Sequence, residues 1–484
     1  MKLRELVRDL ELLGGTADLD TEIGGVSYDS RQTQPGDLFV AVRGFETDGH
    51  RYIPAAMAKG AAAVLCEEAP ADNVPYLLVR DCRLGLALTS RAWFGDPASE
   101  MTVVGFTGTS GKTSSTTILK HLLEETLGAK VGLIGTNGNM IGEELLHTEH
   151  TTPESYELHK LFRRMRDEGC THVVMEVSSH SLALERVAGI TFDVALFTNL
   201  SQDHLDLHGT MEDYAAAKKK IFSQCRIGCV NLDDERAGYM MQGAPCPVFT
   251  YSAVRNDADL TAKDIRLTAS GVRFAAVSGG ELALTKLAIP GMFSVYNALS
   301  VLAAGLCLGI PLESCAAALA TAKGVKGRME SVPTDGDYSI IIDYSHKPDA
   351  LEKALKTLRP VTKGRLIVLF GCGGDRDRKK RPLMGAIAEQ NADLTIVTSD
   401  NPRTEDPQAI IDEILTGMKA RRGSVKVICD RGDAIRWAID QAREGDVILL
   451  AGKGHEDYQI VGKEKHHMDE REIVAEYIER RTQK

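Results

Sequence analysis

Residues 101–117 read MTVVGFTGTSGKTSSTT and predict an apolar strand, a glycine-rich loop and the start of a helix. Glycines let backbone N–H groups approach a phosphate, a helix N-terminus favours an anion, and Lys112 adds a positive charge. The usual phosphate-loop signature is G-x-x-x-x-G-K-[ST], but Phe106 stands where its first glycine would be. Three interpretations are therefore open: an incidental glycine turn, a degenerate kinase or GTPase loop, or the loop of another ATP-using family.

The composition of the 484-residue chain narrows the class of protein. With 43% hydrophobic and 26% charged residues it is typical of a globular protein, and its length predicts roughly three domains. The net charge is −11 and basic runs are short, so we expect no nucleic-acid partner. No apolar run reaches the ~18 residues of a membrane span, and the N-terminus lacks a signal-peptide core. The 10 cysteines form no C-x-x-C pair. We therefore expect a cytoplasmic enzyme with reduced thiols.

The order of apolar runs predicts an α/β protein of three domains. Asp96-Pro97 is a plausible linker, because the residue before a proline is disfavoured in a helix. Beyond it, strands alternate with helices, which predicts a mostly parallel sheet, and period-two stretches in 255–290 predict an antiparallel extension. We place the domains at 1–98, at 99–328 with a P-loop-type sheet, and at 329–484 with a Rossmann-like fold.

Polar residues follow two further strands of the central domain. Glu176 ends the run VVMEV, and Asp203 and His204 follow FTNL. A carboxylate and an imidazole beside a phosphate loop suggest cation coordination, although a hydrogen-bonded surface turn is the alternative. The lysines in DYAAAKKKIF (213–222) are, by composition alone, best explained as a solvated helix face.

The sequence argues against two P-loop classes. The N-K-x-D motif by which a GTPase reads its base does not occur in the chain. A small kinase would not need the long α/β segment that follows the central domain.

A whole-chain pattern of motifs resembles the Mur ligases, ATP-dependent amide-forming enzymes of peptidoglycan precursor synthesis. The match runs from YDSR (28–31) to GKGHEDYQ (452–459). Between these limits the motifs stand in the order expected of that family: GTSGKT, TTPE, EVSSH, DHLD, AAK, YNALS, GRME, DYSHKPDAL, GCGGDRD, DNPR and AGKGHE.

The resemblance implies a reaction. The chain resembles most the members of the family that add meso-diaminopimelate to UDP-N-acetylmuramoyl-L-alanyl-D-glutamate in the cytoplasm. In these enzymes a substrate carboxylate attacks the γ-phosphate of ATP, and the amine of the amino acid then displaces phosphate from the acyl phosphate. Cations must neutralise the two anions of the first step. The implied partners are thus three small-molecule substrates, with Mg²⁺ as cofactor and the protein as a monomer.

The resemblance also implies which residues serve ATP and the metal. Lys112, Lys218, Glu176 and His204 would be catalytic, and Lys218 would be carboxylated to a carbamate (N6-carboxylysine). Thr113, Glu176, His204 and the Lys218 carbamate would hold Mg²⁺. ATP would be bound by Thr107, Gly108, Thr109, Ser110, Gly111, Lys112, Thr113, Asn297, Arg328 and Asp343.

Two further sets follow for the other substrates. The central domain and the N-terminal domain, with FET (45–47) at the nucleotide end, would bind the UDP-muramoyl dipeptide through Tyr28, Ser30, His150, Thr151, Thr152, Ser178, Leu184 and Arg186. The C-terminal domain would bind diaminopimelate through Arg376, Asp400, Asn401, Pro402, Arg403, Gly452 and Glu456. An arginine in DNPR favours diaminopimelate over lysine, because it can clamp the extra carboxylate bidentately.

Some positions depart from the pattern of the family. His150 precedes TTP where asparagine is common, and Leu184 replaces a frequent glutamine. DYSHKPD (343–349) replaces the commoner DYAHTPD, with Ser345 and Lys347 as the two differences. Two other functions stay open: a sister ligase that adds lysine or another amino acid, and a nucleotide-dependent binding or switch protein built on the same loop.

Overall fold

The computed structural model describes residues 1–44, 47–148, 150–418 and 424–482. The chain forms two compact units. The first contains 1–261 and 299–315, and the second contains 262–298 and 316–484. Within the described residues, every helix is too short or too polar to cross a membrane.

A small, mostly parallel sheet opens the first unit. Its elements are α1 (Leu3–Leu6), β1 (Gly14–Gly15), β2 (Gly25–Ser27), β3 (Asp37–Val40), α2 (Ile53–Ala58), β4 (Ala63–Cys66), β5 (Tyr76–Leu78) and α3 (Cys82–Phe94). The strand order is β1-β5-β4-β3-β2, with only β1 antiparallel. Strands β3 and β4 are entirely buried, as expected of parallel strands covered on both faces. Helix α3 begins where Asp81 accepts N–H groups and ends at Gly95 with φ 78°.

The large sheet of the first unit follows. Its elements are β6 (Thr102–Thr107), α4 (Lys112–Leu127), β7 (Val131–Ile134), β8 (Asn139–Ile141), β9 (Glu144–Leu146), α5 (Ser155–Asp167), β10 (His172–Glu176), α6 (Ser179–Ala183), β11 (Phe192–Phe197), α7 (Leu205–His208), α8 (Met211–Lys219), β12 (Cys225–Asn231), α9 (Ala237–Met241), β13 (Val248–Ser252) and β14 (Leu260–Thr268), which continues into the second unit. The order is β14-β13-β12-β11-β6-β10-β7-β8-β9, parallel from β14 to β7.

The position of β6 in this sheet prepares a binding crevice. Strands β10 and β7 lie on one side of β6 in the sheet, and the next strands along the chain, β11 and β12, lie on the other side. The strand order therefore reverses at β6. Ligands of doubly wound sheets bind beyond the carboxyl ends of strands at such a reversal. The loops after β6, β10 and β11 meet there. Beneath them, buried side chains such as Phe162, Val173 and Phe192 form the core, each contributing about 1.5–3 kcal/mol by burial.

The second unit contains an antiparallel hairpin and a parallel sheet. Its elements are β15 (Gly271–Ser278), β16 (Glu281–Leu287), parts of α10 (Met292–Cys307) and α11 (Leu312–Thr321), β17 (Glu330–Val332), β18 (Ser339–Asp343), α12 (Pro348–Leu358), β19 (Leu366–Phe370), α13 (Lys380–Asn391), β20 (Leu394–Val397), α14 (Pro407–Leu415), β21 (Ser424–Val427), α15 (Arg431–Gln441), β22 (Val447–Ala451), β23 (Tyr458–Val461), β24 (Glu464–His467) and α16 (Glu470–Thr482). The sheet order is β17-β18-β22-β19-β20-β21, with β17 antiparallel.

The predicted fold class is confirmed. Each of the three predicted α/β segments has its own sheet, the central sheet is mostly parallel, and β15 and β16 form the predicted antiparallel extension. The sequence did not predict the antiparallel strands β8 and β9, because each strand is short and only partly apolar. The domain limits at 98/99 and 328/329 stay predictions.

Candidate active site

The glycine-rich loop between β6 and α4 adopts a conformation that only glycines allow. Gly108 has φ 149° and Gly111 has φ 86°, values that side-chain-bearing residues rarely adopt. A Cβ at Gly108 would lie 1.9 Å from Oγ1 of Thr198. The loop is therefore packed tightly against the end of β11, and α4 starts directly after it.

Residues at the end of β11 hold this loop in place. Asn199 accepts the N–H of Thr109 through its carbonyl at 2.8 Å and the N–H of Ser110 through its side-chain oxygen at 3.0 Å. Thr198 donates its hydroxyl to the Ser110 carbonyl at 2.8 Å. Sequence reasoning assigned no role to Thr198 or Asn199, although FTNL follows a buried strand at the same edge of the sheet. These hydrogen bonds fix the shape of the loop from the end of β11.

Lys112 places its ammonium group over the loop. Its Nζ donates to the carbonyls of Gly108 at 2.8 Å and Thr109 at 3.1 Å. Burial lowers the pKa of Lys112, while the charges of Glu176 and Asp203 oppose that shift. Together with the free N–H groups that open α4, this cation suits a phosphate.

Glu176 ends β10 with its carboxylate directed at the loop. It is 1% exposed. It accepts the Thr113 hydroxyl at 3.0 Å and the N–H of Thr136 at 2.8 Å. A hydroxyl and a carboxylate side by side are oxygen ligands of the kind that Mg²⁺ prefers. Thr113 and Glu176 therefore fit a magnesium ion.

Lys218 is brought to the same loop by α8. It is 1% exposed, and its Nζ donates to the Gly108 carbonyl at 2.9 Å, the acceptor that Lys112 also uses. Burial, followed by the nearby charge of Lys112, holds the pKa of Lys218 well below its ordinary value. The amine therefore loses its proton more readily than an exposed lysine.

His204 lies in a cluster of aromatic side chains. Its φ is 52°, its ring centroid lies 4.8 Å from that of His180 and 6.2 Å from that of Tyr214, and Asp203 lies 3.5 Å away. In the described ranges, no hydrogen bond or ion pair joins His204 to Glu176, and no group of three or more His, Cys, Asp or Glu is arranged around a metal. The structure brings Thr113, Glu176 and Lys218 to the loop and leaves His204 on a neighbouring turn.

The predicted sugar and peptide contacts converge beside Glu176. Thr152 donates its hydroxyl to the Glu176 carbonyl at 2.8 Å, and the N–H of Ser178 donates to the same Thr152 hydroxyl at 3.2 Å. Arg186 donates to the Thr152 carbonyl at 3.1 Å. The Thr151 hydroxyl lies 2.9 Å from that of Thr136. These hydrogen bonds gather the four residues around the end of β10.

Two cavities of the first unit are lined by other residues predicted to bind the UDP-muramoyl dipeptide. Tyr28 and Ser30 line one of about 480 Å³, and Tyr28 with His150 lines another of about 510 Å³. Leu184 closes α6 with its N–H on the His180 carbonyl at 2.9 Å. Of the FET segment, Phe45 and Glu46 lie outside the described residues.

A separate cleft of about 1020 Å³ lies in the second unit, at the carboxyl ends of its strands. The predicted amino-acid residues that line it are Arg376, Asp400, Asn401, Arg403, Gly452 and Glu456. Pro402 instead presents its carbonyl to Gly374, where a Cβ would lie 1.9 Å away.

Arg403 is held in an unusual backbone conformation in this cleft. Its φ is 51°, which is rare without glycine and costs free energy that the surrounding structure must supply. Its N–H donates to the Ile460 carbonyl at 3.1 Å, and its guanidinium donates to the Gly374 carbonyl at 2.9 Å. A Cβ at Gly373 would lie 2.9 Å from this guanidinium, so a larger residue there would require the guanidinium to shift.

A buried lysine that sequence reasoning left without a role connects the other cleft residues. Lys453 is 0% exposed and donates to the Asn401 side-chain oxygen at 3.0 Å. Asn401 in turn donates to Glu456 at 2.9 Å. Lys453 stands inside AGKGHE, and its place between two glycines was the available signal.

The last three predicted ATP residues occupy separate positions. The Arg328 guanidinium lies over the Tyr344 ring, 5.1 Å from its centroid. Asp343 ends β18, is buried, and accepts the N–H of Met329 at 2.8 Å, and burial raises its pKa. Asn297 lies on α10. All three residues belong to the second unit, whereas the glycine loop belongs to the first.

Known proteins were compared with the chain as a whole. The Mur ligase family, catalytic domain model matches residues 22–93, the Mur ligase middle domain matches 106–305, and the Mur ligase, glutamate ligase domain matches 327–454. Over 99% of both chains, the sequence is 44% identical to the UDP-N-acetylmuramoyl-L-alanyl-D-glutamate–2,6-diaminopimelate ligase of Clostridioides difficile (strain 630). It is 45% identical over the same share to the ligase of that name from Caldanaerobacter subterraneus subsp. tengcongensis. A solved structure of a ligase of that name has a TM-score of 0.81 and 32% identity, covering 100% of this chain and 99% of its own.

Proposed function

Because this chain belongs to the Mur ligase family of ATP-dependent ligases, we propose that it adds meso-diaminopimelate to UDP-N-acetylmuramoyl-L-alanyl-D-glutamate. The glutamate γ-carboxylate attacks the γ-phosphate of ATP and forms an acyl phosphate with release of ADP. The amine of diaminopimelate attacks the acyl carbon, phosphate leaves, and an amide forms. The observation that carries this proposal is the amino-acid cleft, where Arg403 and Glu456 offer opposite charges to an amino-acid end group.

The glycine loop performs the first step. Its backbone N–H groups and Lys112 bind the β- and γ-phosphates, and the hydrogen bonds with Thr198 and Asn199 hold the loop in shape for this contact. Mg²⁺ would be held by Thr113 at the phosphates and, at a second position, by Glu176, carboxylated Lys218 and His204 of the neighbouring turn, and it would supply positive charge that offsets the two anions. Thr151, Thr152, Ser178 and Arg186 orient the peptide carboxylate towards the loop.

Lys218 is proposed to act as a carbamate. A neutral amine attacks CO₂ and loses a proton, giving a carboxylate on the lysine nitrogen. The burial that lowers the pKa of Lys218 favours the neutral amine that this step needs. The product adds a negative oxygen ligand where the unmodified side chain offers none.

Arg403 and Arg376 are proposed to recognise the far carboxylate of diaminopimelate, and Glu456 and Gly452 its ammonium group. Asp400 and Asn401 complete the site. Lysine has the ammonium group but lacks the carboxylate, so the two guanidinium groups would have no carboxylate partner. A site that loses such a partner discriminates strongly. We place the enzyme in the cytoplasm, as a monomer.

One experiment tests the reaction and the choice of amino acid. Phosphate release is measured with ATP, Mg²⁺ and the UDP-muramoyl dipeptide, with meso-diaminopimelate or L-lysine added in turn. We expect release that depends on diaminopimelate, with a kcat/KM for lysine at least about 100-fold lower. A preference for lysine would identify the sister ligase, and ATP binding without turnover would identify a binding protein.

A further inference from the structure

Lys453 is a fully buried ammonium group at the base of the amino-acid cleft. It is 0% exposed and lies two residues beyond β22. Removing a charge from water costs several kcal/mol unless partners compensate for it. A lysine in this position is therefore expected to be held by a defined set of acceptors.

The oxygen atoms around Lys453 belong mostly to residues assigned to the substrate. Its Nζ lies 3.0 Å from the side-chain oxygen of Asn401, 3.4 Å from a Glu456 oxygen and 3.4 Å from a carboxylate oxygen of Asp400. It also donates to the Tyr458 carbonyl at 2.6 Å. One cation thus contacts three side chains that line the cleft.

These contacts form a closed arrangement. Asn401 accepts from Lys453 and from the N–H of Ile460 at 2.9 Å, so its amide nitrogen is turned towards Glu456, to which it donates at 2.9 Å. An amide can present either end to a neighbour. Lys453 and the Ile460 N–H together hold the oxygen end of the Asn401 amide, so its NH₂ group meets Glu456 and helps to orient the Glu456 carboxylate.

Lys453 also balances the charge of the carboxylates at the cleft. Asp400 and Glu456 place two carboxylates at the cleft, and Asp400 is 6% exposed. Without a cation between them these two carboxylates would repel each other. With Lys453 present the group carries a single net negative charge, which matches one substrate ammonium group.

We propose that Lys453 is a positioning residue for the incoming amino acid: it orients Asn401 and Glu456 and sets the charge that receives the ammonium group. The inference rests on the proposed function, because it assumes that an amino acid occupies this cleft. Lys453 does not touch the reacting atoms in this proposal. Its loss should weaken amino-acid binding and leave the ATP site unchanged.

The test compares Lys453→Met and Lys453→Gln with Lys465→Met. Lys465 is an exposed lysine on β24 whose Nζ lies 4.3 Å from the centroid of the Tyr458 ring, which Lys453 also approaches. For both Lys453 variants we expect the KM for diaminopimelate to rise about tenfold or more, as for a lost charged hydrogen bond. The KM values for ATP and the UDP-muramoyl dipeptide should stay within about twofold, and Lys465→Met should match the wild type.

The outcomes separate the two proposals. A wild-type enzyme that releases no phosphate with any amino acid refutes the proposed function. If the wild type prefers lysine, the KM for lysine is measured in the Lys453 variants instead, with the same expected rise. An unchanged KM for the amino acid, or an equal rise in all three KM values, overturns the role of Lys453. Failure of both variants to fold, judged by thermal unfolding, also overturns it, because Lys453 would then be a structural cation.

Discussion

Burial distinguishes Lys218 from the two lysines that follow it. Lys218 is 1% exposed, whereas the side chain of Lys220 is 47% exposed and pairs with Glu185. Composition alone favours a solvated face for all three residues. The helical turn of α8 instead points one of them at the glycine loop, where it shares the Gly108 carbonyl with Lys112.

Lys218→Ala should lower kcat by about 100-fold or more, because a ligand of the metal that stabilises the transition state is lost. Short carboxylates or bicarbonate added to the assay should restore part of the activity by occupying the vacated position. Steady-state phosphate release measures both effects, with Lys220→Ala as the control at wild-type rate. Full activity of Lys218→Ala would exclude the carbamate.

Arg403→Ala should weaken the binding of diaminopimelate far more than the binding of ATP. The guanidinium is available for a bidentate carboxylate contact, and such contacts are worth about 1.5–3 kcal/mol, or roughly 10- to 150-fold in KM. The KM for each substrate is measured with the others saturating. Equal increases in the KM for diaminopimelate and for ATP would contradict the assignment of Arg403.

Helix α13 shows how an element supports the cleft from behind. Arg381 is 0% exposed, pairs with Glu405 and Glu413, and donates to the Gly373 carbonyl at 3.2 Å. It therefore ties α13 and α14 to the loop that leaves room for Arg403. The Glu405 pKa is lowered to about 2, chiefly by its hydrogen bonds with Arg381.

Arg381→Met should reduce the free energy of unfolding by about 2–3 kcal/mol, since it leaves two carboxylates without their buried partner, although both are partly solvated. Arg378→Met is the matched control, because Arg378 pairs with the same Glu413 from an exposed position, and we expect it to cost less than about 1 kcal/mol. Urea unfolding monitored by circular dichroism measures both. Similar losses in the two variants would contradict a special role of the buried pair.

The cysteines report on the molecule as a whole. All ten are free, and six of them are buried. Burial raises the pKa of Cys66 to about 11 and that of Cys372 to about 12. Since the thiolate is the reactive form, these thiols should be inert in the folded protein.

A thiol reagent should therefore titrate ten cysteines in denaturant without reductant, and at most the four half-buried ones, Cys225, Cys246, Cys307 and Cys429, in the folded protein. The count follows from absorbance of the released chromophore. Fewer than ten in denaturant would mean that disulfides form, and rapid reaction of more than four in the folded protein would contradict the core as described.

The residue pattern of the chain predicts most of its strands and helices in their order, the glycine loop and the family, but it does not predict β8 and β9. These properties depend on local residue patterns: apolar periodicity predicts strands, and Gly108, Gly111 and Lys112 are adjacent in the chain. DNPR and AGKGHE also marked the cleft of the second unit, because polar residues after buried strands gather at one edge of a sheet.

The fold, in contrast, determines which of these residues meet and which of them are buried. Thr198 and Asn199 are far from the glycine loop in the chain yet hold it, and burial rather than composition separates Lys218 from Lys220. Lys453 became visible only when Asp400, Asn401 and Glu456 were seen to surround it. The physical reason is that hydrogen bonding and burial depend on contacts between distant segments, and these determine both the pKa of a side chain and the direction in which it points.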